Sequence, residues 1–150
     1  MKRKDNKGFT LVELIVVLVI LAILAAILVP ALLGYIDKAR EKQVTTNANA
    51  AYVAAQALAT EYYGKTAAGS TTGSGCKAYV TDAKIKTLTD IGEDFDCTVD
   101  AVKGGDTATD KTGCIITEFT YKNAEYTAVW KQADGGTWTV TQEANTVTAD

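Results

Sequence analysis

The apolar residues of this chain follow three patterns in succession. From Leu11 to Leu33 every position is apolar except Glu13 and Pro30. Such a run predicts a helix, and at ~1.5 Å per residue the stretch from Phe9 to Val29 spans ~31 Å, about the hydrocarbon thickness of a bilayer. Beyond it, apolar or small residues recur at Leu33, Ile36, Val44, Ala48, Ala51, Ala55, Leu58 and Tyr62, with Arg40 interrupting one position. That is the i, i+3/i+4 spacing of one helix face. Asp37, Lys38, Glu41, Lys42, Asn47 and Gln56 fall on the opposite face. Gly64 is the natural stop. Together these predict one helix over about Phe9–Tyr63, ~80 Å long. Its first half (9–33) suits a membrane or a fibre core, and its second half (34–63) suits a sheet laid against alanines.

The third pattern is alternation. Residues 64–76, rich in Gly, Ser and Thr, read as a loop. Thr81 and Asp82 can cap a short second helix to about Thr89. Ile115, Thr117, Phe119 and Tyr121 then alternate with Ile116, Glu118, Thr120 and Lys122. Tyr126, Ala128 and Trp130 alternate with Thr127, Val129 and Lys131, and Thr137 to Gln142 places Trp138 and Val140 on one face. Asn123-Ala124 and Asp134-Gly135-Gly136 supply turns. An antiparallel meander follows, its aromatic face packed on Ala48, Ala51 and Ala55. Both tryptophans obey the alternation, which makes them core residues and not a sugar-binding platform. A fourth strand near Thr98–Val102 has a weaker pattern, and residues 143–150 read as a frayed end. The predicted class is α+β, a long N-terminal helix on a small antiparallel sheet, with residues 64–150 as a globular head.

Charge orients this arrangement. Lys2, Arg3, Lys4 and Lys7 against Asp5 give residues 1–8 a formal +3, so the remainder carries −6 where the whole chain carries −3. The basic end is expected to stay cytoplasmic, which places the acidic remainder outside. No basic patch occurs beyond the N-terminus, which argues against nucleic acid as the main partner. Histidine is absent, and with it the commonest general base and the commonest zinc ligand. No nucleophile–base pairing suggests an enzyme.

Cys76, Cys97 and Cys114 lie in the exported part, outside any Cys-x-x-Cys motif. A Cys97–Cys114 bridge closes a short acidic loop and is the first expectation; Cys76 bridged to either partner is the alternative, and three reduced thiols remain open. Asp90, Glu93, Asp94, Asp96 and Asp100 lack EF-hand spacing and read as a solvated loop, with a calcium site left open as the alternative; no metal or cofactor is assigned.

The candidate chemistry lies at the head of the apolar run. A carboxylate inside a membrane-length helix costs on the order of a few kcal/mol and marks function. A secretory signal or plain anchor is the ordinary reading of a basic start before an apolar run. The run, however, exceeds the ~7–15 residues of a signal core. Glu13 has no task in either, and Gly8 precedes the run instead of following it.

Lys7-Gly8-Phe9-Thr10-Leu11-Val12-Glu13-Leu14 resembles the processing motif of type IV prepilins and related pseudopilins: glycine before the cut, phenylalanine after it, and glutamate at the fifth mature position. Pro30, at the twenty-second mature position, fits the same family. The resemblance implies the type IV pilin fold, a basic leader (1–8) removed at Gly8–Phe9 by a membrane prepilin peptidase, and N-methylation of Phe9. It further implies a helical filament of identical subunits, built with an assembly platform and minor pilins, from a precursor held in the inner membrane. Glu13 is then expected to neutralise the Phe9 amine of a neighbouring subunit, a pair within one helix being the alternative. Pro30 and Gly34 mark a bend, or a stretch around 22–30 that loses helix in the packed filament. The first expectation is a major pilin of an extracellular pilus. A pseudopilin of type II secretion or of DNA uptake is the alternative, and a non-polymerising membrane-tethered binding module is the second. Adhesion, twitching motility, DNA uptake and electron conduction use similar fibres, and the sequence does not choose among them.

Overall fold

The computed structural model describes residues 9–66, 72–92, 94–103 and 113–143. The leader 1–8, with Gly8, lies outside them. Two compact units divide after Arg40.

Helix α1 is assigned over Leu11–Lys65, two residues later at each end than the apolar patterns indicate. In the first unit, large apolar side chains from Leu11 to Ile36 are exposed all round it; Leu11 is 72% and Ile27 71% accessible. The assignment continues without a break through Pro30 and Gly34. The proline removes one backbone donor, and strong helix formers on either side keep the ladder going.

In the second unit the same helix presents Val44, Ala48, Ala51, Ala54, Ala55, Leu58 and Ala59 as a buried stripe. Opposite lies a four-stranded antiparallel sheet of β1 (Asp96–Lys103), β2 (Ile115–Lys122), β3 (Tyr126–Lys131) and β4 (Thr137–Gln142), in spatial order β1-β2-β3-β4. This is the α+β arrangement that the resemblance implies. Phe119, Tyr121 and Ile116 supply the largest fully buried side chains of the sheet, each contributing about 1.5–3 kcal/mol by leaving water. The Tyr52 ring reaches from the helix to Phe119, Trp130 and Trp138, with centroids 5.9, 4.4 and 6.4 Å away. Alanine lets the sheet come close, and the aromatic rings fill the space.

The turns form as their residues dictate. Asn123 Oδ1 accepts from the N–H groups of Glu125 and Tyr126 at 3.0 and 2.7 Å. Between β3 and β4, Gly135 and Gly136 both have positive φ, 76° and 72°, a conformation that side chains with a Cβ resist.

Four features depart from the sequence reading. First, the expected loop contains a helix, α2 (Gly73–Tyr79), whose cap is Thr72: its Oγ1 accepts from Gly75 N–H at 3.0 Å. A Cβ on Gly75 would lie 2.2 Å from the Tyr62 hydroxyl, so the glycine that weakens this helix is also what lets it sit on α1. Second, the weak fourth strand is a full eight-residue β1. The expected short helix, α3 (Asp82–Leu88), precedes it and starts where Thr81 and Asp82 suggest. Thr81 makes no side-chain cap bond; Asp82 instead accepts from Cys97 N–H at 2.9 Å and pairs with Lys86 at 2.8 Å, tying α3 to β1.

Third, Ile116 is buried while Ile115 is 37% exposed, the reverse of simple alternation with Phe119. The β1–β2 register shifts between Val99 and Val102, leaving Asp100 and Thr117 unmatched. One extra residue turns the following side chains to the other face. Fourth, Gln56, expected on the solvent face, turns to the sheet. Its Nε2 donates to Cys114 O at 2.8 Å and its Oε1 accepts from Ile116 N–H at 2.9 Å. The amide thereby serves as a short piece of strand for the free edge of β2's first residues.

Candidate processing and assembly site

Phe9 and Thr10 stand before the first turn of α1 and are exposed, Phe9 at 83%. Thr10 caps the helix. Its backbone N–H and its Oγ1–H both donate to Glu13 Oε2, at 2.8 and 2.7 Å, and its Oγ1 accepts from Glu13 N–H at 3.3 Å. This reciprocal arrangement is a capping box, in which an N-cap hydroxyl and an acid three residues on satisfy donors that the first turn leaves unpaired. The carboxylate also lies against the positive end of the helix dipole. Glu13 is therefore satisfied locally, on an exposed helix end, with one oxygen engaged in these bonds. The sequence showed the acid and its distance from Phe9; the Thr10-x-x-Glu13 spacing also contained the cap, which the reading by membrane cost passed over.

Pro30 and Gly34 sit in the continuous helix far along the chain from this end, and no Cβ contact would form at Gly34. Among the described residues, no group of three or more Cys, Asp or Glu side chains converges as a metal site. The acidic residues of 90–100 disperse: Asp96 lies 3.9 Å from Lys86 Nζ, and Asp100 Oδ2 accepts from Thr120 Oγ1 at 2.6 Å. Glu93 lies outside the described residues.

The cysteines are free thiols, Cys76 and Cys114 buried and Cys97 half-buried. The structure does not bring together the pair expected first. Cys97 stands opposite Tyr121, whereas Cys114 adjoins Ile115, opposite Lys103 at the other end of the ladder. Some seven residues of strand separate them, ~20 Å, against the ~7 Å limit between Cα atoms of a bridge. It is Cys76 that neighbours Cys114, both inside one buried core cluster. Burial, then interaction with the Cys114 thiol, pushes the Cys76 thiol up to about 12. Cys97 is likewise pushed up to about 12, by burial first and the Asp82 carboxylate second.

Among the described residues, α1 is long and apolar enough to cross a membrane. Residues 3–29 match the family model of the prokaryotic N-terminal methylation motif, which is characteristic of type IV pilins and pseudopilins. No curated protein and no solved structure matches the chain. An apolar helix behind a prepilin-type start is consistent with a single-pass membrane precursor. The motif, at the head of a helix that carries an antiparallel sheet on its second half, supports membership of the type IV pilin and pseudopilin family.

Proposed function

We propose that the chain is the major subunit of an extracellular type IV pilus. The observation that carries this reading is the capped carboxylate Glu13 at the head of an apolar helix exposed on every side, inside the matched motif. A prepilin peptidase removes residues 1–8 between Gly8 and Phe9, and the same enzyme methylates the new Phe9 amine. Residues 9–33 hold the subunit in the membrane and then form the filament core; 34–63 carry the head, 64–150, outside. The chain binds copies of itself, the assembly platform and minor pilins, and it catalyses nothing.

Cleavage changes the electrostatics of this end. The leader carries +3; its removal leaves one α-amine, cationic at neutral pH with an ordinary pKa of ~8. A carboxylate and an ammonium attract strongly in low dielectric, but desolvating both costs a comparable amount. Their pairing therefore sets axial register more than it adds stability. In the lone helix Thr10 holds Glu13 Oε2, so the neighbour's Phe9 amine must join or displace those bonds. Pro30 and Gly34 supply a stretch with weakened backbone bonding that can extend as helices crowd in the core.

Fibres sheared from cells, with the terminal peptide read by mass spectrometry, test this reading; methylated Phe9 in long surface fibres is the expected result. Glu13→Gln should leave the protein made and cleaved while fibres disappear, and normal fibres from that variant would refute the assembly role. The same motif serves pseudopilins, so methylated Phe9 in a chain that never forms surface fibres assigns it to secretion or DNA uptake.

A further inference from the structure

We propose that Cys76 and Cys114 are joined by a disulfide formed while the head folds, with Cys97 left as a thiol. Both side chains lie in one buried core cluster, Cys76 0% and Cys114 3% exposed, close enough for the two thiols to interact. Separate contacts with α1 hold each in place. Cys76 sits in α2, which Thr72 caps and which Gly75 allows to lie on the Tyr62 hydroxyl. Cys114 is fixed through its own carbonyl and the N–H of Ile116, both bound by Gln56. Gln56 and Tyr62 are less than two turns apart on one helix. The thiol pair is thus a consequence of how α2 and β2 dock, and Cys97 is excluded by standing at the far end of the β1–β2 ladder.

The chemistry is thiol–disulfide exchange with a small-molecule or protein disulfide. One cysteine, as thiolate, attacks the oxidant and expels its first thiol. The second cysteine attacks the mixed disulfide and expels the other. The protein loses two protons and two electrons, and the oxidant leaves as two thiols. Buried thiols held unionised are poor nucleophiles, so the exchange belongs to the stage before α2 docks. Once formed, the bond is shielded from reductants by the same burial. It ties a seven-residue, glycine-containing helix, too short to persist alone, to the residue that leads into β2.

Only the compartment that supplies the oxidant rests on the export reading above. The test uses the full chain, extracted from membranes under denaturing conditions and alkylated before reduction. Peptide mass spectrometry should find Cys76 linked to Cys114, a mass about 2 Da below the trithiol, and alkyl label on Cys97 alone. Protease added to intact cells reports separately whether the head is outside. In a second arm, the denatured, reduced full chain is refolded in detergent with oxidised glutathione, where the same link should form wherever the cell keeps the protein. Cys97→Ser should leave the link intact, and Cys114→Ser should abolish it. A head that is inside the cell with three thiols, yet forms Cys76–Cys114 on refolding, defeats export and leaves the pairing standing. An exported chain with three labelled thiols, or a refolded chain bridged through Cys97, overturns the proposal.

Discussion

The two halves of α1 share a backbone conformation and differ in what surrounds them. Over residues 11–36 Leu, Ile and Val occupy the full circumference and remain exposed. Over 44–59 the buried positions are mainly alanine, and the bulk is supplied from the sheet by Phe119, Tyr121 and the half-buried Trp138, with Trp130 against the Tyr52 ring. A helix apolar all round belongs in lipid or among other helices, where any face can be covered. A helix that meets one sheet needs a single face, and small residues there let the strands come near. Side-chain size separates the two halves as sharply as hydrophobicity does. Glu13 and Gln56 extend the contrast: one polar group satisfied by its own helix end, the other by the backbone of β2.

Adding volume should expose this contrast most strongly. Ala51→Leu inserts bulk at a position with no exposure, and we expect a loss of about 3 kcal/mol, a fall in head Tm of roughly 10 °C or more. Ala25→Leu, in the exposed half, should leave the same transition nearly unchanged. Fluorescence reads it directly, because both tryptophans are in the head.

Removing the bridging amide comes next. Gln56→Ala leaves Cys114 O and Ile116 N–H without their partner and should cost about 2–3 kcal/mol in denaturant unfolding. Gln43→Ala, exposed on the same helix, should cost less than about 0.5 kcal/mol.

The smallest effect near neutrality is the response to alkali. In the reduced head, Cys76 and Cys97 are held to about 12, while unfolded thiols ionise near ~8.5. The unfolded state therefore binds fewer protons between those values. Stability is fully present below about pH 8.5 and falls by at most ~1.4 kcal/mol per pH unit for each thiol up to about 12. Residues 14–34 contain no titratable side chain, so helical circular dichroism from that half should persist while tryptophan fluorescence reports loss of the head. A chain bridged between Cys76 and Cys114 should retain only the Cys97 part of the slope.

Much of this was legible along the chain. The extent of α1 to within two residues at each end, the three later strands and the alanine stripe follow from local periodicity, because helix and strand repeat every 3.6 and 2 residues whatever they pack against. The start of the apolar run was legible for a different reason: its glycine, phenylalanine and glutamate are contiguous, so their spacing survives without knowledge of the fold. What periodicity could not carry was anything set by register or docking. Ile116 replaces Ile115 in the core because β1 and β2 shift register at Asp100 and Thr117, and nothing in the alternation of β2 alone marks that shift. α2 forms in a Gly/Ser stretch because Thr72 caps it and Cys76 finds the core, overriding weak propensity.

The sequence by itself determined the long helix with its two characters, the meander and the prepilin-type start, since each is written in neighbouring residues. Only the tertiary structure decided which cysteine meets Cys114, that Gln56 turns inward, and that Glu13 is held by Thr10 in the lone chain. Those outcomes depend on which atoms arrive at the same place, and a sequence pattern fixes the period of an element more firmly than the direction or partner of any one side chain.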